Sequence, residues 1–166
     1  MRSNLLFFLG FAAMLACSTG KRSSPAESTA AGATSDSAFQ AMDHRHGDVV
    51  GVDPSALEHV FVGVPGGGDV ILGLQTDDEV LISQARIHIG TVAEAFRRGD
   101  FAIPGFVHDK PAAGTEVMTR KRALITYTVE DIPDGAALRI RSKDPEALRA
   151  IRAFIEFQIA EHRTAH

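Results

Sequence analysis

The chain has 166 residues, 45% of them hydrophobic, with a formal net charge of −4 and a pI near 5.9. That acidic balance lacks the basic footprint of a nucleic-acid binder. One tyrosine and no tryptophan leave no sugar-stacking platform, and a single cysteine excludes any disulfide within the chain.

The N-terminus reads "MRSNLLFFLGFAAMLACSTG". Arg2 supplies a positive head, and Leu5 to Ala16 form an apolar run of twelve residues. As a helix this run covers about 18 Å, too little for a bilayer core of about 30 Å, so it reads as a secretory signal rather than a span. Cys17 follows "MLA" directly. The arrangement resembles a bacterial lipoprotein signal box, in which cleavage precedes the cysteine and its thiol is lipidated, although Met14 replaces the usual leucine. The expectation is a signal peptide over residues 1–17 ending at Cys17, export to the periplasmic side of the envelope, and a lipid anchor. Ser18 points to the outer membrane by lipoprotein sorting habit. Residues 18–37, "STGKRSSPAESTAAGATSDS", carry almost no large apolar side chain and read as a flexible tether. Residues 38–166 then form a single globular domain.

Within the domain, "SAFQAMDHRHG" reads as a short helix capped by Ser37 and stopped at Gly47. "EHVFVGVPGGGDVILGLQTD" reads as two strands about a Pro-Gly-Gly-Gly turn. Alternation places Val60, Val62 and Val64 of the first strand toward the core, with Val70, Leu72 and Leu74 of the second. A long helix follows, started by Asp77 or Asp78 and closed by Gly99. After a loop the order repeats. "RALITYTVEDIPDGAALRIRSKD" supplies two strands about Pro133-Asp134-Gly135, and Asp144 with Pro145 starts a last helix. The expected class is α+β: two strand–strand–helix units, a mainly antiparallel sheet, and two long helices packed on one face.

The segments "GGDVIL", "RIHI…AFRRGDF", "IPGFVH", "AGTEVM" and "DGAALRIRSKDPEALRAIRAFIEFQ", with the closing "EHR", resemble a family of small exported bacterial proteins. The similarity runs from about Phe39 to Arg163. Members of that family circulate under the label aspartate carbamoyltransferase. The residues here do not support the label: the chain has neither a Ser-Thr-Arg-Thr phosphate loop nor a His-Pro-Thr-Gln-like segment. The resemblance therefore implies an exported domain and no particular activity.

Two constellations carry chemistry. His88 falls on the edge of the apolar stripe through Leu81, Ala85, Val92 and Phe96, and His162 lies one turn beyond the line of Leu148, Ile151 and Phe154. With His108 and Met118 from the intervening loop they form a candidate metal set, zinc or copper, the thioether favouring Cu(I). No local chelating motif supports it, and half-buried histidines that hydrogen-bond carbonyls or carboxylates are the competing reading. His44 and His46 give a surface-chelate pattern at best. His59 points away from the core if Val60, Val62 and Val64 face it. The second constellation is basic: Arg120 and Arg122 on the third strand, Arg139 and Arg141 on the fourth. Pairing sets Arg122 near Lys143 and Leu124 near Arg141. The group reads as an anion site for phosphate, lipid headgroups or an acidic partner, or as a solvated sheet face balanced by carboxylates. No nucleophile elbow or phosphate cradle occurs. The leading expectation is a non-enzymatic envelope lipoprotein that binds a small ligand or an envelope protein. A metal-binding domain using His88, His108 and His162 is the alternative, and a transferase or hydrolase the weaker one.

Overall fold

The structure, a computed structural model, describes residues 25–163. The expected signal peptide with Cys17, and residues 18–24, lie outside the described residues. Helix α1 runs Pro25–Val50, so residues 25–37 of the expected tether are helical here. The helix also passes Gly47 and ends before Gly51, whose φ is 77° and whose amide donates to the Gly47 carbonyl. Strands β1 (Leu57–Val64) and β2 (Gly67–Leu74) lead to α2 (Glu79–Arg98). Two short helices, α3 (Ala102–His108) and α4 (Thr115–Arg120), cross to β3 (Ile125–Ile132), β4 (Gly135–Ser142) and α5 (Pro145–His162).

The fold is α+β, with one antiparallel sheet in the order β1-β2-β4-β3. Its two strand–strand–helix units are built alike. In each, eight-residue strands turn through two residues opened by a proline, Pro65-Gly66 in one and Pro133-Asp134 in the other. In each, an aspartate caps the helix. The Asp78 carboxylate accepts from the amides of Val80 and Leu81, and Asp144 from those of Glu146 and Ala147. Such a cap satisfies donors that the first helical turn leaves orphaned. Gly99 closes α2 at φ 79°, a left-handed conformation that only glycine adopts without strain.

The register places Phe61, Val70, Leu138 and Val129 side by side across the sheet, with His59, Leu72, Ala136, Ile140, Ile125 and Tyr127 on the same face. Helix α5 meets this face where a Cβ on Gly68 would lie 2.4 Å from Ile155 Cγ1, and α2 meets it where the Phe96 ring stands 5.9 Å from Tyr127. One core cluster joins Phe61, Leu72 and Leu138 of the sheet to Ile89 and Phe96 of α2 and Ile151 and Phe154 of α5.

The alternation expected for β1 is inverted. Val60, Val62 and Val64 occupy the other face, where Val62 pairs with Asp69 and Asp69 with Arg139. "LEHVFVGV" carries apolar residues in both phases, and the phase that buries the large Phe61 ring wins. His59 therefore faces inward. The β3–β4 register also differs by two residues: Ile125 pairs with Ser142 and Thr126 with Arg141. Only Pro133 and Asp134 are spent on the turn, because Gly135 already belongs to β4. Arg120 and Arg122 are not strand residues. Arg120 ends α4, and Arg122 begins a single 3-10 turn.

Candidate metal centre

Five of the chain's seven histidines converge on one interior cavity. Each comes from a different element: His46 from α1, His59 from β1, His88 from α2, His108 from the end of α3 and His162 from the end of α5. The cavity has a volume of about 60 Å³, and its remaining wall is apolar apart from Gln158, with Phe61, Leu72 and Phe154 among the residues lining it.

The tightest group is His46, His59 and His162. Each can offer one ring nitrogen such that all three atoms lie within 4.8 Å of one another. The His46 ring stands 4.0 Å from His59 and 5.3 Å from His162, and His59 stands 5.1 Å from His162. Around a tetrahedral ion with metal–nitrogen bonds of about 2.0–2.1 Å, neighbouring donors lie about 3.4 Å apart. To hold such an ion the three nitrogens would close from within 4.8 Å to about 3.4 Å. His88 lies further out, its ring 6.3 Å from His46, and the His108 ring meets His162 edge-on at 5.0 Å.

The electrostatics keep these rings neutral. Burial, with the neighbouring imidazoles adding to it, pushes His46 and His162 down to about 3. Burial alone takes His88 to about 4, and burial with His46 and His88 nearby holds His59 well below its usual value. Neutral imidazole is the ligating form. The Nε2 of His59 is buried and has no hydrogen-bond partner, so the competing reading of satisfied structural histidines fails at that atom.

The structure brings together only part of the expected set. His162 belongs to the trio, and His88 and His108 line the same cavity without joining the close group. Met118 is not among the lining residues; it is fully buried in the core cluster, and the thioether argument for Cu(I) falls with it. His46 and His59, set aside in the sequence, are the two missing members. His44 and His46 are two apart on α1, so they point to different sides: His44 is exposed and paired with Asp48 at 3.2 Å, while His46 enters the cavity.

The four arginines do not form one site. Arg139 and Arg141 project from the outer sheet face, but both bind Asp69, at 2.9 and 2.6 Å, and Arg139 also binds Glu130 at 2.8 Å. Arg120 pairs with Glu116 and Glu146, and Arg122 donates to the Thr119 carbonyl. Carboxylates thus match the charges of Arg120, Arg139 and Arg141, while Arg122 meets only a carbonyl. Among the described residues no helix is long and apolar enough to cross a membrane. No known family model matches the chain, and neither a curated protein nor a solved structure matches it.

Proposed function

We propose that the domain binds a first-row transition-metal ion, zinc or copper(II), through His46, His59 and His162. The observation that carries this reading is the trio itself: three neutral imidazoles from three separate elements, with ligand atoms within 4.8 Å, in a cavity whose remaining wall is apolar apart from His88, His108 and Gln158. An all-nitrogen donor set suits these ions, and three protein ligands leave one coordination position for water or an exogenous donor. The cavity's size supports an ion over an organic ligand. At about 60 Å³ it is far below the roughly 300–1,000 Å³ of small-molecule pockets. The ion is then the small ligand expected of an envelope lipoprotein, displayed at the periplasmic side of the membrane through an anchor at Cys17.

Titration of the full chain with zinc and with copper(II) by calorimetry tests the assignment. One equivalent is expected to bind, and binding should be lost in His59→Ala and His162→Ala. The absence of heat, or heat that survives both substitutions, overturns it.

A further inference from the structure

His108 is the buried histidine of the nest, the other four being half-buried, and it lines two openings. It lines the interior cavity and, on its other side, a groove of about 450 Å³ between α1 and the end of α5. The side chain is 1% exposed, and its Nε2 lies 2.8 Å from Gln158 Oε1. An amide oxygen only accepts, so Nε2 carries the ring proton and Nδ1 keeps a bare lone pair. That Nδ1 is buried with no hydrogen-bond partner. Facing it at 3.9 Å is Oε2 of Glu161, whose other oxygen receives Lys110 Nζ at 2.8 Å.

A lone pair on nitrogen and a carboxylate oxygen 3.9 Å apart, with no proton between them, bracket a position for a cation. Metal–nitrogen and metal–oxygen bonds each of about 2.0–2.2 Å span such a gap. We infer that His108 Nδ1 and Glu161 Oε2 form a second, transient metal site, which takes a divalent ion from the outer groove and passes it to the trio through His162. The inference rests on the metal-binding reading of the trio. The path is short, since the His108 and His162 rings are in edge contact at 5.0 Å. The groove also holds Arg45, Lys110 and Arg163 against Asp109 and Glu161, so it does not concentrate cations by bulk charge. Lys110 in particular competes for Glu161. Transfer therefore depends on the specific pair, and Lys110 acts as its brake.

Opposite-signed variants distinguish a transfer site from a structural contact. Zinc is delivered to the full chain from a chromophoric chelator in a stopped-flow instrument, and its removal is followed with excess chelator. Glu161→Gln is expected to slow loading and release together by about tenfold, equal to about 1.4 kcal/mol on the barrier. Lys110→Ala is expected to accelerate both. Neither changes the equilibrium affinity, because neither touches the trio. His108→Ala should slow exchange further, with thermal melting of the apoprotein checking that it remains folded. Unchanged rates in Glu161→Gln overturn the transfer site while leaving the trio standing, as does slowing in Lys110→Ala. An affinity loss in either variant makes the pair part of the holding site, which also overturns it. A chain that binds no zinc at all fails the metal reading itself.

Discussion

The two strand–strand–helix units superimpose a histidine cluster on an aromatic one. His59 is the third residue of β1, and Tyr127 the third of β3. Counted from the capping aspartates Asp78 and Asp144, His88 corresponds to Phe154 and Phe96 to His162. Phe96 meets Tyr127 at 5.9 Å and Phe154 at 5.7 Å; its counterpart His162 meets His59 at 5.1 Å. The two clusters thus draw on the same three positions, each taking two members from one unit and one from the other, with aromatic rings in one cluster and imidazoles in the other. The aromatic cluster demonstrates that packing at these positions needs no nitrogen. In the histidine cluster the nitrogens bring a desolvation cost, visible in the lowered pKa values, with no hydrogen bond at His59 Nε2 to offset it. What the imidazoles add over phenyl rings is a set of lone pairs.

The comparison breaks first in stability. Phe154→Ala removes a buried phenyl ring, 2% exposed, and should cost about 3–5 kcal/mol by denaturant unfolding of the apoprotein. Its counterpart His88→Ala removes a half-buried ring from the wall of the same cavity and should cost about 1 kcal/mol or less. Equal losses would mean that the two clusters do the same structural work.

The comparison sharpens when the histidine cluster is rewritten in the residues of the aromatic one. His162→Phe puts at that position the ring that Phe96 supplies in the other unit. Apoprotein stability should hold or rise, while zinc affinity should fall by more than the roughly 10–100-fold that loss of an outer partner of a metal ligand costs. A variant that is destabilised and still binds zinc would place the role of His162 in packing.

The units themselves were legible in the sequence because their signals are local. Asp78, Gly99, Asp144 and Pro145 mark helix ends through backbone chemistry that acts within a turn. The site was not legible, because its members share no local spacing. His162 and His88 stood out by interrupting apolar stripes. His59 was lost to a phase choice in β1, where Val60, Val62 and Val64 make one phase look like the core, yet the other phase carries Phe61. A two-residue period decides such a strand only when one phase is clearly polar. His46 was lost for a different reason. Reading α1 as a helix does not say which of its sides docks, and the partner surface on α2 and α3 exists only after folding. The register slip that moved Arg122 and Leu124 followed from assigning Gly135 to the turn instead of to β4.

Mild acidification acts first on the histidine cluster. The folded pKa values of His46, His88 and His162 lie at about 3, 4 and 3, below the usual value of 6.5, so the unfolded chain binds more protons between these limits. The contribution of the neutral rings is complete above about pH 6.5 and is lost as pH falls through that window, with a slope of up to about 1.4 kcal/mol per pH unit for each histidine. His59 and His108 shift in the same direction. Carboxylates whose pKa is lowered by their contacts, such as Asp144 and Glu146, add their own loss only nearer their lower usual values. Melting curves from pH 7.5 to 4.5 should therefore show a steep decline, shallower by one group in His162→Phe. A flat profile would mean that the rings are protonated or solvated in the fold.

The smallest effect belongs to His44, and its size separates the nest from histidine content as such. His44 sits two residues from His46 on the same helix, but its side chain is 79% exposed and its contact is the surface pair with Asp48. An exposed pair of this kind contributes little. His44→Ala should change stability by less than about 0.5 kcal/mol and leave zinc affinity and the pH profile as they were. The neighbouring His46→Ala should cost most of the zinc affinity while leaving His59 and His162 in place. If the two substitutions behave alike, the helix is contributing a loose surface chelate, and the cavity is not where the ion goes.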